Sequence, residues 1–250
     1  MDKKVIDNIV WYIPFRKLRD AVREYLSNIS NYADSNKDFQ ILNLITKEAT
    51  KESVKYICEN GSNARMFVDR FQLLKFMLEE YIKNNDYKGK LFLEFGVFEG
   101  STINFCSSLI PEAKFYGFDS FEGLPETSGV WVKGEFDVKE KLPKVNKNVS
   151  LIKGYFNETL PKFLEEHKEK AAFIHIDCDL YSSTKTIFDN IYDRIVPNTV
   201  IQFDEYYNYP GWRNHEFKAF QEFCKKYSVE YEYIGISYTQ VALVIKSIKN

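Results

Sequence analysis

From residue 88 onward the chain alternates short apolar runs with helical spacing, and this alternation restricts its fold more than any other feature. The runs at 91–95, 114–119, 149–155, 171–177 and 199–204 are nearly continuous in apolar residues. The segments 101–109, 158–167, 182–195 and 216–227 lie between or after them and read as helices. A strand apolar on both faces is buried on both, as in a parallel sheet sandwiched by crossover helices. The last two runs, 231–236 and 240–245, are separated only by Ser237, Tyr238 and Thr239. That leaves no room for a helix, so they pair as an antiparallel hairpin. Before residue 88 the pattern differs: Phe67, Phe71, Leu74, Met77, Leu78 and Tyr81 recur at three and four, which is helical spacing. The expectation is an α/β, Rossmann-like domain over 86–250, mostly parallel with a C-terminal hairpin, preceded by a helical extension or lid over 1–85.

Composition excludes several roles. With 34 Lys and Arg against 36 Asp and Glu, the net charge of -2 offers no single-sign field for nucleic acid. No apolar run approaches the roughly 20 residues of a membrane helix, so no integral membrane segment is expected. Cys58, Cys106, Cys178 and Cys224 form no CxxC pair and the N-terminus shows no apolar leader, which points to a reduced cytoplasmic compartment.

In open parallel sheets ligands sit at the carboxyl ends of strands. The first end reads Leu91-Phe92-Leu93-Glu94-Phe95-Gly96-Val97-Phe98-Glu99-Gly100-Ser101. Gly96 and Gly100 let backbone approach a ligand closely, and Ser101 can cap the following helix. Glu94 interrupts an apolar strand, where a carboxylate needs a partner. Phe98 stands where a dinucleotide fingerprint would have its second glycine, so ExGxxxG suits a cofactor with an amino group and a sulfonium better than a pyrophosphate. About 20 residues on, Asp119 ends the second strand, where it can accept both hydroxyls of a ribose. Ser120 follows it, and Tyr155 closes the third strand run; both join the candidate cofactor residues. The stretch 120–147, with Trp131 and Phe136, is longer than ordinary loops and suits a ligand cover.

Two further strands end in acids: Asp177 and Asp179 after 171–176, Asp204 and Glu205 after 199–203. Neighbouring strand ends bring these four carboxylates together, and mutual repulsion destabilises such a cluster unless a cation neutralises it. An all-oxygen set suits Mg2+ first, with Mn2+ or Fe2+ as alternatives. Among the histidines, His175 lies deep in an apolar run as a satisfied core residue, His167 ends a helix, and His215 opens one within reach of a substrate. Aromatics make up 16% of the chain. Phe118, Phe121, Trp131, Tyr155, Tyr181, Tyr206, Tyr207, Tyr209 and Trp212 fall beside the strand ends, where flat rings suit adenine and sugar.

The blocks FLEFGVFEGSTINF, YGFDSFEGLPE, GYFNETLP, HIDCDLYSSTKTIFD and FDEYYNYPGWRNHEFKAF resemble the macrocin O-methyltransferase family, from about Arg65 to the C-terminus. The resemblance implies a class I methyltransferase sheet using S-adenosylmethionine and a divalent metal to methylate a sugar hydroxyl. It implies cofactor roles for Glu94, Gly96, Ser101 and Asp119, metal ligation by Asp177, Asp204 and Glu205, and Asp179 as general base. Glu205 stands where many relatives carry a second Asp. The implied acceptor is a sugar or nucleotide sugar bound for a surface polysaccharide, with a glycosylated natural product as the alternative, and a homo-oligomer is expected. A nucleotide-dependent oxidoreductase is disfavoured by Phe98, and a non-catalytic binding module by the four acids. Near the N-terminus, Trp11, Tyr12 and Phe15 alternate with Arg16, Lys17, Arg19 and Arg23. That suits a lid or dimer-contact helix, with peripheral membrane contact through 1–25 as a weaker alternative.

Overall fold

The computed structural model describes residues 3–11, 16–35, 40–139 and 141–249. Residues 1–48 and 49–250 form two compact units. The first holds α1 (Lys3–Trp11), α2 (Arg16–Ser35) and the start of α3 (Gln40–Asn60). Arg23 ties α2 to α1 through Asp7 at 2.9 Å. Of the aromatic and basic N-terminal segment, Tyr12 to Phe15 lie outside the described residues. Among the described residues no helix is long and apolar enough to cross a membrane.

The second unit is built on an eight-stranded sheet of β1 (Arg65–Met66), β2 (Leu91–Phe95), β3 (Phe115–Asp119), β4 (Val149–Lys153), β5 (Ala171–Ile176), β6 (Val200–Phe203), β7 (Glu230–Ile236) and β8 (Val241–Ser247), in the order β1-β7-β8-β6-β5-β2-β3-β4. β2 through β6 pair in parallel, and β8 runs antiparallel to both β6 and β7. The expected mostly parallel sheet with its C-terminal hairpin is present. One element differs from the helical expectation for 1–85: Arg65 and Met66 extend the sheet by pairing in parallel with Gly235 and Ile236. Two residues carry too little periodicity to register in a sequence pattern.

Every residue of β2, β5 and β6 is buried, which explains their continuous apolar character. On one face Leu93, Phe95, Ile174, Ile176 and Phe203 pack under α6 (Phe156–Glu166), α7 (Tyr181–Ile191) and α8 (Glu216–Tyr227). On the other, Phe92, Phe173 and Val200 pack under α4 (Arg70–Lys75), its π-helical continuation Phe76–Ile82, and α5 (Ser101–Leu109). The chain leaves β2 for β3 and β4 on one side and returns to β5 on the other. The carboxyl ends of β2 and β5 therefore form the switch point at which such sheets bind ligands.

Candidate active site

Gly96, directly after β2, is the tightest point of the switch. Its φ is +94°, and a Cβ on it would sit 1.6 Å from the carbonyl oxygen of Asp177. Only glycine lets the two strand ends meet backbone to backbone. Asp119 holds the rest of the loop: its Oδ2 accepts the N–H groups of Val97 and Phe98, both at 2.8 Å, and its Oδ1 that of Phe121 at 2.7 Å. Three of roughly four lone-pair positions on this carboxylate are thus taken by its own chain. Gly100, in the left-handed region, occupies the N-cap of α5, so Ser101 is the first helical residue and makes no capping bond, contrary to the expectation for it.

A cavity of about 840 Å³ opens beyond these strand ends. Gly96, Ser101, Asp119, Ser120 and Tyr155 line one part, and Asp177, Asp179, Asp204 and Glu205 another, so the glycine loop and the four acids share one space. Glu94 and Gly100 are not among the lining residues. Glu94 is buried, with Oε2 3.2 Å from His175 Nδ1, because its position in β2 points it at the neighbouring strand under α4 and α5. Within 120–139 the bridges Glu122–Asp137 and Ser128–Trp131 fold the chain back on itself, and Trp131 and Phe136 line the cavity. Phe98 lies edge-on to Phe136, with ring centroids 5.6 Å apart. Of the aromatics expected beside the site, only Trp131 and Tyr155 reach it. Phe118, Phe121, Tyr206 and Trp212 are core residues, since the strand and turn positions they hold face the helices.

The acids differ in their surroundings. Burial, together with Asp204, drives the Asp177 carboxyl well above the carboxylate range. Burial, Asp204 and Glu135 push Asp179 up to about 7. Glu205 rises for the same reason, with Asp177 and Asp204 as its like-charged neighbours. Asp204 goes the other way: burial works against its charge, but His175 and Arg70 outweigh it and hold the carboxyl low.

Three contributors, Arg70, Glu216 and Gln202, had no sequence signal of their own. Arg70 opens α4, whose N-cap Asp69 accepts from Phe71 and Gln72; its guanidinium reaches Asp204 Oδ2 at 3.2 Å and lines the cavity. Glu216, fully buried at the start of α8, accepts Cys178 N–H and Asp179 N–H on Oε1 and Glu205 N–H on Oε2, joining the two acid loops. His175 and Gln202 extend a buried polar row from Glu94, because Glu94 pairs with His175 and His175 with Gln202 in the sheet register. His175 is only half satisfied, since its Nε2 has no hydrogen-bond partner among the described residues. His215, expected within reach of a substrate, is buried against Gly129 and does not line the cavity.

The donor set fits a divalent cation. Among the described residues, Asp204 Oδ1, Glu205 Oε2 and His175 Nε2 are buried without hydrogen-bond partners, although His175 Nε2 and Asp204 Oδ1 are paired at 3.9 Å. His175, Asp177 and Asp204 each offer a ligand atom, all within 4.8 Å of one another. Glu205, expected as the third ligand, is outside that group, as successive residues at a strand end point to opposite sides.

Residues 93–206 match a family model described as a methyltransferase domain. The fold is that of a methyltransferase. The calicheamicin methyltransferase CalS11 superposes with a TM-score of 0.56 at 20% identity, over 81% of this chain and 91% of that one. The O-methyltransferase NovP gives a TM-score of 0.55 at 20% identity, over 71% and 79%. No curated protein matches the sequence significantly. The matched segment begins within β2 and ends just past the acids after β6, so it spans both halves of the cavity wall.

Proposed function

We propose that the protein transfers a methyl group from S-adenosylmethionine to a hydroxyl of a sugar, carried on a nucleotide for a surface polysaccharide, with metal assistance. The observation that carries the reading is the single cavity in which a glycine loop and Asp119 face four carboxylates. The macrocin O-methyltransferase blocks in the sequence support the sugar acceptor. S-adenosylmethionine supplies a methyl group on a positive sulfur, which an acid-lined cavity attracts. Gly96, Ser120 and Tyr155 line the part of the wall where such a ligand would sit. Asp177 and Asp204 would hold a divalent cation, whose chemistry there would be to lower the pKa of a hydroxyl brought to it. Asp179, poised near neutrality by its burial, takes the hydroxyl proton as the new O–C bond forms and the C–S bond breaks. Arg70 keeps Asp204 ionised and fixes one of its oxygens. Trp131 and Phe136 provide flat apolar faces for the acceptor.

The test is release of S-adenosylhomocysteine with a panel of nucleotide sugars and glycosides. Turnover is expected with at least one sugar, to be lost in EDTA and to fall at least ~100-fold in Asp179→Asn, the scale of general-base catalysis. Undiminished turnover in EDTA refutes metal assistance, and unchanged Asp179→Asn refutes the base. Failure to bind S-adenosylmethionine in calorimetry refutes the whole reading.

A further inference from the structure

We infer that Arg70 binds the methionyl carboxylate of S-adenosylmethionine through guanidinium N–H groups that Asp204 does not use. The inference rests on the methyl-transfer reading above and adds a cofactor residue on α4 that neither the glycine loop nor the acid pairs indicate. S-adenosylmethionine carries a sulfonium, an ammonium and a carboxylate. The two cationic groups suit a wall of acids, whereas the carboxylate needs a cation or several N–H donors once inside it. Among the described residues, seven Asp and Glu side chains line the cavity and a single cation does, Arg70. Its guanidinium makes one hydrogen bond among those residues, from Nη1 to Asp204 Oδ2 at 3.2 Å, and its side chain is 36% exposed. An arginine has five N–H donors in a planar fork that fits a carboxylate, so most of its donors remain for a ligand.

Strand order puts these donors at the methionyl end of the cofactor. From β4 across to β6 the carboxyl ends present Tyr155, Asp119, Gly96, Asp177 and Asp204 in turn, and all five line the cavity. With the ribose on Asp119, adenine lies toward the Tyr155 ring, and the sulfonium passes Gly96 toward the acids that receive the acceptor hydroxyl. The methionyl chain leaves the sulfur on that same side, away from adenine and toward Arg70. Two contacts fix the start of α4 there. Asp69 caps it by accepting from Phe71 and Gln72, and Phe71 packs edge-on to Phe105 of α5 with ring centroids 5.0 Å apart. Arg70 and Ser101 therefore begin adjacent helices that both open onto the cavity. Burial drives the Glu94 carboxyl up, and His175 and then Arg70 oppose it, so the guanidinium lies near β2 as well as β6. The rival donors are the backbone N–H groups at the start of α5, where Gly100 provides no side-chain cap. Together they offer about half a charge against the full charge of Arg70.

The experiment is titration calorimetry of the full chain with S-adenosylhomocysteine and with 5′-(3-aminopropylthio)-5′-deoxyadenosine, the same molecule without its carboxylate. The wild type is expected to bind S-adenosylhomocysteine about 10–100-fold more tightly, the scale of hydrogen bonds to a charged group. In Arg70→Met that preference is expected to collapse to within about 3-fold, with affinity for the analogue changed by less than about 3-fold. Arg70→Lys keeps the charge without the fork and is expected to recover less than half of the lost preference on a logarithmic scale. In the native chain the Arg70 guanidinium proton resonances are expected to move downfield with S-adenosylhomocysteine and not with the analogue. A preference that survives Arg70→Met overturns the inference and assigns the carboxylate to the start of α5. An equal loss of both ligands overturns it too, and reduces Arg70 to a support for Asp204. Full recovery in Arg70→Lys overturns the forked contact. Each of these results leaves the methyl-transfer reading standing, whereas no binding of S-adenosylhomocysteine to the wild type overturns both. If Arg70→Met does not fold, the guanidinium resonances and Arg70→Lys decide.

Discussion

Glu216 is the side chain whose replacement tests the site architecture most directly. It accepts N–H groups of Cys178 at 3.2 Å, Asp179 at 3.1 Å and Glu205 at 3.3 Å. In Glu216→Ala all three donors lose their acceptor, and those of Cys178 and Asp179 belong to buried residues. At ~1–3 kcal/mol for each buried donor left unpaired, the two together cost roughly 2–6 kcal/mol. Loss of repulsion partly offsets this, since burial, Asp179 and Asp177 all push the Glu216 carboxyl well upward. Domains of this size are stable by only about 5–15 kcal/mol, so the alanine variant is expected to be severely weakened. Glu216→Gln separates the contributions. Its amide oxygen keeps the bonds to Cys178 and Asp179, while its amide nitrogen faces the Glu205 N–H, donor against donor. The net expectation is a loss of about 1–2 kcal/mol. Urea unfolding of the full chain at pH 7.5, extrapolated to water, measures both. A glutamine variant as stable as the wild type, or an alanine variant within about 1 kcal/mol of it, refutes the view that Glu216, accepting on both carboxyl oxygens, ties the two acid loops together.

Gly96→Ala must move the carbonyl of Asp177 away from a Cβ that would approach to 1.6 Å, at a φ of +94°. A loss of more than about 4 kcal/mol, the range of the most damaging single substitutions, is expected in urea unfolding; a variant within about 1 kcal/mol of wild type would show that the strand ends separate freely. His215 is held below its ordinary value by burial, so the unfolded chain binds a proton near pH 6.5 that the folded chain refuses. His215 therefore subtracts stability as pH drops from 7.5 to 5.5, opposite in sign to the raised Asp179, and the urea midpoint of His215→Gln is expected to fall less, or rise more, than that of the wild type over this window. Equal changes in the two proteins would remove His215 as a contributor.

The fold was legible because its signals are local. Continuous apolar runs such as Ala171–Ile176 and the four-residue gap between Ile236 and Val241 need no knowledge of the partner strand to be read. β1 escaped notice because two residues pair only by virtue of where β7 lies. The same division runs through the site. The four acids stand at the ends of apolar strands, where an unpartnered charge is conspicuous in one dimension. Arg70, by contrast, is separated from Asp204 by more than half the chain, and Glu216 looks like any acid in the first turn of a helix.

What the sequence determined by itself is the periodicity of each element and the chemistry at each strand end, since both depend on neighbours within a few positions. What only the tertiary structure decided is which side each polar group faces. Sheet register turned Glu94 toward His175 rather than into the cavity, and left Asp204 in the group with His175 and Asp177 while Glu205 fell outside it. Register and strand order arise from burial summed over the whole sheet, so no local window of residues contains them.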